Sequence, residues 1–450
     1  MIPVRFRNFA GGITGTAAEA LSHRRTIFWL GILAISVLAL VFVAGPVISY
    51  DSLHICRSDC NDLNMLSDYV AEHFRPYSGE TAAKIVGNGD HHGKFFFEGF
   101  TTYLGILKII FGSFWDTAFL LVNGALLALL AITATRSTHS REGTNWKPIV
   151  IVLAVGGNIM GVVTSRLLLT DYFYALLTLL AFLLLADGLA RSSLKPLLVA
   201  LALSIFLLFV RPVGLFVLGL AVFAVFGHLI FKGTRLWHWV PMGLLVTGLV
   251  GLLAMAGITV VIAQREAGDV RFDGGLISTI SDLTARVNVR GGAEAPVNVP
   301  ASAWILGNAG LPDETFEHRG EFQAIVLSFA YRIYRNFDIR IPGFSAKHNL
   351  YRMIYLPTLY IGSLIAIVFA LKRRPIHSAI PIFAGFVCAY VMLVSSIQHI
   401  EYRYLLVIQF AMAILASFAF TEVLFTLASS RFRSSPEVGS AVNTWSLWSR

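Results

Sequence analysis

Long apolar stretches broken by short polar interruptions dominate the chain. A helix needs about 20 apolar residues to cross the hydrocarbon of a bilayer. Stretches of that kind recur at 27–49, 117–135, 148–165, 168–189, 196–211, 213–231, 239–262, 352–371, 378–396 and 403–428. The pattern predicts an all-α integral membrane protein with about ten transmembrane helices. The divisions at 166–171 and 211–212 rest on single charged residues and a proline. Two longer polar-rich segments, about 50–100 and 263–350, carry amphipathic repeats. Leu63, Leu66, Val70 and Phe74 recur at helical spacing, as do Leu276, Ile280, Leu283 and Val287. In 321–337, Glu321, Ser328, Arg332 and Arg335 form a narrow polar stripe on an otherwise apolar helix. These segments predict helices lying in the membrane interface. A further short helix, 101–111, is expected to stop at Gly112, with Phe114 and Trp115 as an interfacial collar.

The placement of cations orients the chain. With the N-terminus inside, the inner connections hold Arg136, Arg141 and Lys147, then Arg191 and Lys195, then Lys232 and Arg235, then Lys372, Arg373 and Arg374. The short outer connections hold only Arg166, Arg211 and Arg403. The positive-inside rule therefore puts both termini in the cytoplasm and both long segments outside, in a plasma (inner) membrane. The resulting organisation is a cytoplasmic segment 1–26, a bundle 27–262 that includes the outer loop 50–100, an extracytoplasmic loop 263–350, C-terminal spans 351–428 and a cytoplasmic tail 429–450. The first apolar run is too long for a cleavable signal core and reads as a retained anchor.

Composition sharpens this picture. Of 450 residues, 56% are hydrophobic and 14% charged, too little polar surface for a soluble domain. The net charge of +9 does not imply nucleic-acid binding, because the cations recur in short clusters rather than one patch. Of three cysteines, Cys388 lies in an apolar run and is expected to be packed; Cys56 and Cys60 lie in the first outer loop. A disulfide between those two suits an oxidising compartment but would be strained within a helix. Gly157 and Gly161 form a GxxxG pair suited to close helix contact.

Candidate chemistry gathers at the outer ends of the spans. Arg166 and Asp171 bracket one outer turn, Arg211 lies at another, and Glu401 and Arg403 open the last span. Near a helix end such side chains can snorkel to water and act as anchors. Arg also grips phosphate with a planar, permanently charged fork, so several Arg at one face suit an anionic lipid phosphate. The first outer loop carries Asp51, Asp59, Asp62, Asp68, Glu72, Glu80, Asp90 and Glu98. A hydroxyl acceptor needs a general base at that depth. Asp59 and Asp62 open an amphipathic helix, where aspartate also serves as an N-cap. The glycine-rich stretch 87–94 follows no strand and reads as a solvated loop, with Lys94 available to a phosphate. No cofactor is expected. Adjacent His91 and His92 cannot readily hold one metal from a regular element, and nothing else supports a divalent cation.

Four motifs resemble the polytopic GT-C glycosyltransferases, in particular the protein O-mannosyltransferase and aminoarabinose-to-lipid-A transferase superfamily. They are Ser58-Asp59-Cys60-Asn61-Asp62 followed by Tyr69 and Ala71; Thr102-Tyr103-Leu104 through Phe111-Gly112; Leu169-Thr170-Asp171-Tyr172-Phe173; and the pair Val210-Arg211-Pro212-Val213-Gly214-Leu215 and Tyr402-Arg403-Tyr404-Leu405-Leu406. The resemblance covers roughly 27–270 and 350–428. It implies a polyprenyl-phosphate-sugar donor and inverting transfer to a hydroxyl of a lipid, glycan or protein. It also implies Asp62 as base with Asp59 next, and Arg211, Arg403 and Lys94 at the donor phosphate. Asp171, Arg166 and Glu401 would support them. The chain lacks the two adjacent acids that the superfamily often shows in this loop. The competing readings are a lipid or polysaccharide transporter or flippase, which would carry charges within the spans, and a non-catalytic partner in envelope assembly.

Overall fold

The computed structural model describes residues 31–32, 35–36, 59–77, 79–86, 98–137, 147–158, 161, 164–165, 170–211, 213–232, 243, 330, 333–334, 336–337, 339, 346–373, 379–396 and 405–433. Of these, 93% are helical and none lies in a strand. Four helical stretches are long and apolar enough to cross a membrane: Glu98–Ser137, Thr170–Ala190, Gly214–Phe231 and Asn349–Lys372. The described chain is thus almost wholly helical, and its long apolar helices are consistent with a membrane protein.

The elements in chain order are α1 (Asp59–His73), α2 (Gly79–Val86), α3 (Glu98–Phe111), a 3-10 turn (Gly112–Phe114), α4 (Trp115–Ser137), α5 (Lys147–Gly156), α6 (Thr170–Ala190), α7 (Leu194–Val210), α8 (Gly214–Phe231), α9 (Ala346–Arg373), α10 (Ala379–Ser396) and α11 (Leu406–Arg433). Seven of the ten apolar runs coincide with α4 and α6 to α11. The runs 27–49 and 239–262, apart from residues 31–32, 35–36 and 243, and most of the polar stripe in 321–337, lie outside the described residues, as do the amphipathic repeat at 276–287 and the loop 87–94.

Helix α6 is the centre of the bundle. It is apolar around its whole circumference and touches α4, α7, α8, α10 and α11, which is why it is buried on every side. The outer helices show one apolar face to the surroundings, with Phe223, Phe226, Leu229 and Ile230 of α8 and Ile354, Ile361 and Leu364 of α9 exposed. In lipid, apolar burial gives helices little reason to associate, so contact depends on close approach and hydrogen bonds. A Cβ on Gly362 of α9 would stand 2.8 Å from the Ala416 methyl of α11, and Ser363 donates to the Met412 carbonyl at 2.8 Å.

Three expectations need correction. The run 148–165 is not one helix: α5 ends at Gly156, and Gly157 and Asn158 leave the helical path. Asn158 then accepts the Gly161 N–H at 2.9 Å through Oδ1, in the manner of a cap for a new turn, so the side chain competes with helix continuation. Gly161 does admit close contact, since a Cβ there would meet the Phe410 ring at 2.5 Å. Cys388 is not packed but faces outward from α10. Phe74 leaves the apolar stripe of α1: its φ of 54° turns the chain left-handed just after His73, and the ring is 75% exposed, while Leu63, Leu66 and Val70 are buried.

The short helix predicted at 101–111 is α3, and it runs into α4 through a bend. Gly112 adopts φ +52°, which a residue with a Cβ would hold only under strain. Ile110, Phe111 and Phe114 are exposed at the bend.

Candidate functional site

Arg211 owes its position to the residue after it. Pro212 disfavours helical geometry at the preceding position, and Arg211 is extended at φ −155°, ψ 145°. Helix α7 therefore stops at Val210, and the Arg211 carbonyl accepts the Gly214 N–H at 2.8 Å to start α8. The guanidinium turns to the first residues of α6. Its Nη2 lies 2.5 Å from Asp171 Oδ1, its Nε donates to Thr170 Oγ1 at 2.7 Å, and its Cζ lies 5.9 Å from the Tyr174 ring centroid. The two side chains are 9% and 0% exposed. The residues read as interfacial anchors thus neutralise each other inside the bundle. Asp171 Oδ2 has no hydrogen-bond partner among the described residues.

Helix α3 presses its first turn against this corner. A Cβ on Gly99 would lie 2.8 Å from Cβ of Phe209, in the last turn of α7. Phe100 packs on Phe173 of α6 with centroids 5.7 Å apart, and Tyr103 stacks on the same ring at 4.8 Å. Glu98 opens α3 beside these contacts. Thr101 donates to the Tyr77 hydroxyl at 2.9 Å. Burial pushes the Tyr77 phenol well above its ordinary range; the Thr101 hydrogen bond opposes this, and the nearby Glu98 carboxylate adds to it. Tyr77 is therefore a neutral hydrogen-bonding group that ties the chain after α1 to the head of α3.

Helix α1 lies antiparallel to α3. Lys108 reaches Asp68 Oδ1 at 2.6 Å, Ser67 Oγ at 2.7 Å and Asn64 Oδ1 at 2.8 Å, and it sits 4.8 Å from the Trp115 ring centroid. One turn earlier, Gly105 lets Val70 approach. Sequence reasoning passed over Lys108; the available signal was a lone cation in an apolar helix opposite Asn64, Ser67 and Asp68 at i, i+3, i+4 spacing. Lys108→Met removes the charge-assisted hydrogen bonds from the ammonium to Asp68, Ser67 and Asn64 and is expected to loosen α1 from α3 by about 1–3 kcal/mol. Faster protease cleavage near α1 in detergent, with the span helices still protected, is the expected readout.

A second polar layer joins α5 to α11. Asn158 donates to Gln409 Oε1 at 2.7 Å, Asn123 of α4 donates to the Ser165 carbonyl at 3.0 Å, and Tyr172 meets Phe410 edge-on at 5.6 Å. Asn158, Gln409 and Asn123 are all buried.

Of the residues predicted from sequence, the structure brings Asp171 and Arg211 together. Asp62, half-buried, lies in the first turn of α1, and Asp59 is the first residue of that helix. That end of α1 runs beside the C-terminal half of α3, not beside the Arg211 corner. Arg403, Lys94, Arg166, Glu401 and Cys56 lie outside the described residues. Among the described residues no group of three or more His, Cys, Asp or Glu side chains could hold a metal ion. In comparisons with known proteins the chain matches no family model, no curated protein and no solved structure.

Proposed function

We propose that this protein is a GT-C-type membrane glycosyltransferase. It would take a sugar from a polyprenyl-phosphate donor and pass it, with inversion, to a hydroxyl of a lipid, glycan or protein at the extracytoplasmic face. The proposal includes ten spans, both termini in the cytoplasm and residence in the plasma membrane. The observation that carries it is the contiguity of motifs far apart in the chain. Tyr103 of the second motif stacks on Phe173 of the third, Asp171 of the third binds Arg211 of the fourth, and α1, which bears the first, lies on α3. Charge grows on the leaving lipid phosphate as the glycosidic bond breaks, and a cation fixed in place lowers the cost of that charge. Asp171 and Thr170 would hold Arg211 in one orientation for that task, with the donor tail lying among the spans.

The test is donor consumption by the purified protein. Polyprenyl-phosphate-linked hexose, pentose and aminosugar donors are incubated with it and with washed envelope extract as acceptor source. At least one donor is expected to lose its sugar to a larger product. A lipid flippase is the second reading, favoured by the break of α5 at Gly157 and Asn158, since discontinuous helices often mark transport sites. Movement of intact donor across proteoliposomes without loss of its sugar would select that reading.

A further inference from the structure

The transferase reading requires a carboxylate within one sugar of the phosphate-binding cation, and from the fold we infer that this base is Glu98. The inference rests on that reading. The antiparallel arrangement of α1 and α3 decides it. Lys108 lies level with Asn64 and Asp68, Gly105 with Val70, and Thr101 with Tyr77. Asp59 and Asp62 therefore stand beside the far end of α3, level with about residue 110. At 1.5 Å per residue they are on the order of 15 Å along the axis from Gly99, the residue seated on α7. In an inverting transfer the base, the acceptor oxygen, the anomeric carbon and the leaving oxygen share a span on the order of 10 Å or less. Glu98 meets that requirement by position: it is one residue from the contact with Phe209, which is itself two residues before Arg211. The first turn of α6, the last turn of α7 and the head of α3 converge there.

A second observation points to a ligand in the same corner. Asp171 Oδ2 is buried with no hydrogen-bond partner among the described residues, a costly state for a carboxylate oxygen. A sugar hydroxyl donating to it would satisfy it. In the transfer, Glu98 accepts the proton of the acceptor hydroxyl as that oxygen bonds to the anomeric carbon. The bond from that carbon to the phosphate oxygen breaks, and its electron pair leaves on the lipid phosphate beside Arg211.

The experiment uses the full-length protein with the same donor panel, measuring kcat and donor KM against pH. Glu98→Gln is expected to lower kcat ~10²–10⁴-fold, with donor KM changed less than about threefold, and to erase the rise of activity with pH that a titrating base produces. Glu98→Asp keeps the carboxylate but retracts it, and is expected to lose at least about tenfold in kcat while keeping the pH limb. Unchanged kcat in Glu98→Asp, or persistence of the limb in Glu98→Gln with its loss in Asp62→Asn, overturns the assignment while leaving the transferase reading intact. A wild-type protein that consumes no donor in the panel overturns both.

Discussion

Replacing Arg211 by methionine is expected to destabilise the protein by about 3–5 kcal/mol, because it strands a carboxylate inside the bundle. Asp171 is fully enclosed, and its Oδ1 has the guanidinium 2.5 Å away. Removing the cation leaves the desolvation cost of the acid with nothing to offset it. The double variant Arg211→Met with Asp171→Leu removes both charges and is expected to recover most of the loss, since apolar replacement of a buried pair is often neutral or better. Arg211→Lys should fall between, because one ammonium on a single stem cannot reproduce the fork that spans Thr170 and Asp171. Thermal unfolding in detergent across the four proteins measures this, and a double variant no better than Arg211→Met would refute the ion-pair account. The same set separates stability from chemistry: the double variant should fold and yet fail to consume donor.

Gly214→Ala is the second large effect. A Cβ at this position would fall inside contact distance of the Leu207 carbonyl group and the Leu208 nitrogen. Those are backbone atoms of the last turn of α7, so no side chain can rotate to make room. The turn that presents Arg211 must open instead, at about 3 kcal/mol or more, the upper range for overpacked sites. Gly219 lies one turn along α8 with nothing within 4 Å of its Cβ position, so Gly219→Ala should change stability by less than about 0.5 kcal/mol. Equal melting temperatures for the two variants would show that the turn after Arg211 is less constrained than its geometry implies.

The corner around Arg211 shows how far sequence reasoning reaches. That Arg211 would end one helix followed from Pro212, a local steric effect needing no knowledge of the rest of the chain. That Asp171 would begin another followed from the return of apolar residues after it. Their pairing did not follow. Both were legible as interfacial groups, but whether two such groups face water or each other depends on how α6 and α7 are rotated about their axes. The break in α5 was hidden for a related reason. In sequence, Gly157 and Asn158 sit in an apolar run with a GxxxG spacing that suits an intact helix. Asn158 can leave the helical path because Gln409, 251 residues away, holds its amide at 2.7 Å. Lys108 was passed over because its acceptors stand on α1, some 40 residues earlier, and only antiparallel docking brings them level.

What the sequence determined by itself is which segments prefer hydrocarbon and, apart from the break in α5, where most of the described helices run. Each of these is a sum of local solvation and backbone preferences, additive along the chain. What only the tertiary structure decided is which polar groups pair within the bundle, and which end of α3 meets the Arg211 corner. In a bilayer, association of helices turns on a few close glycine contacts and buried hydrogen bonds between distant segments. Such contacts are set by helix rotation and register, quantities that a periodic apolar pattern leaves open.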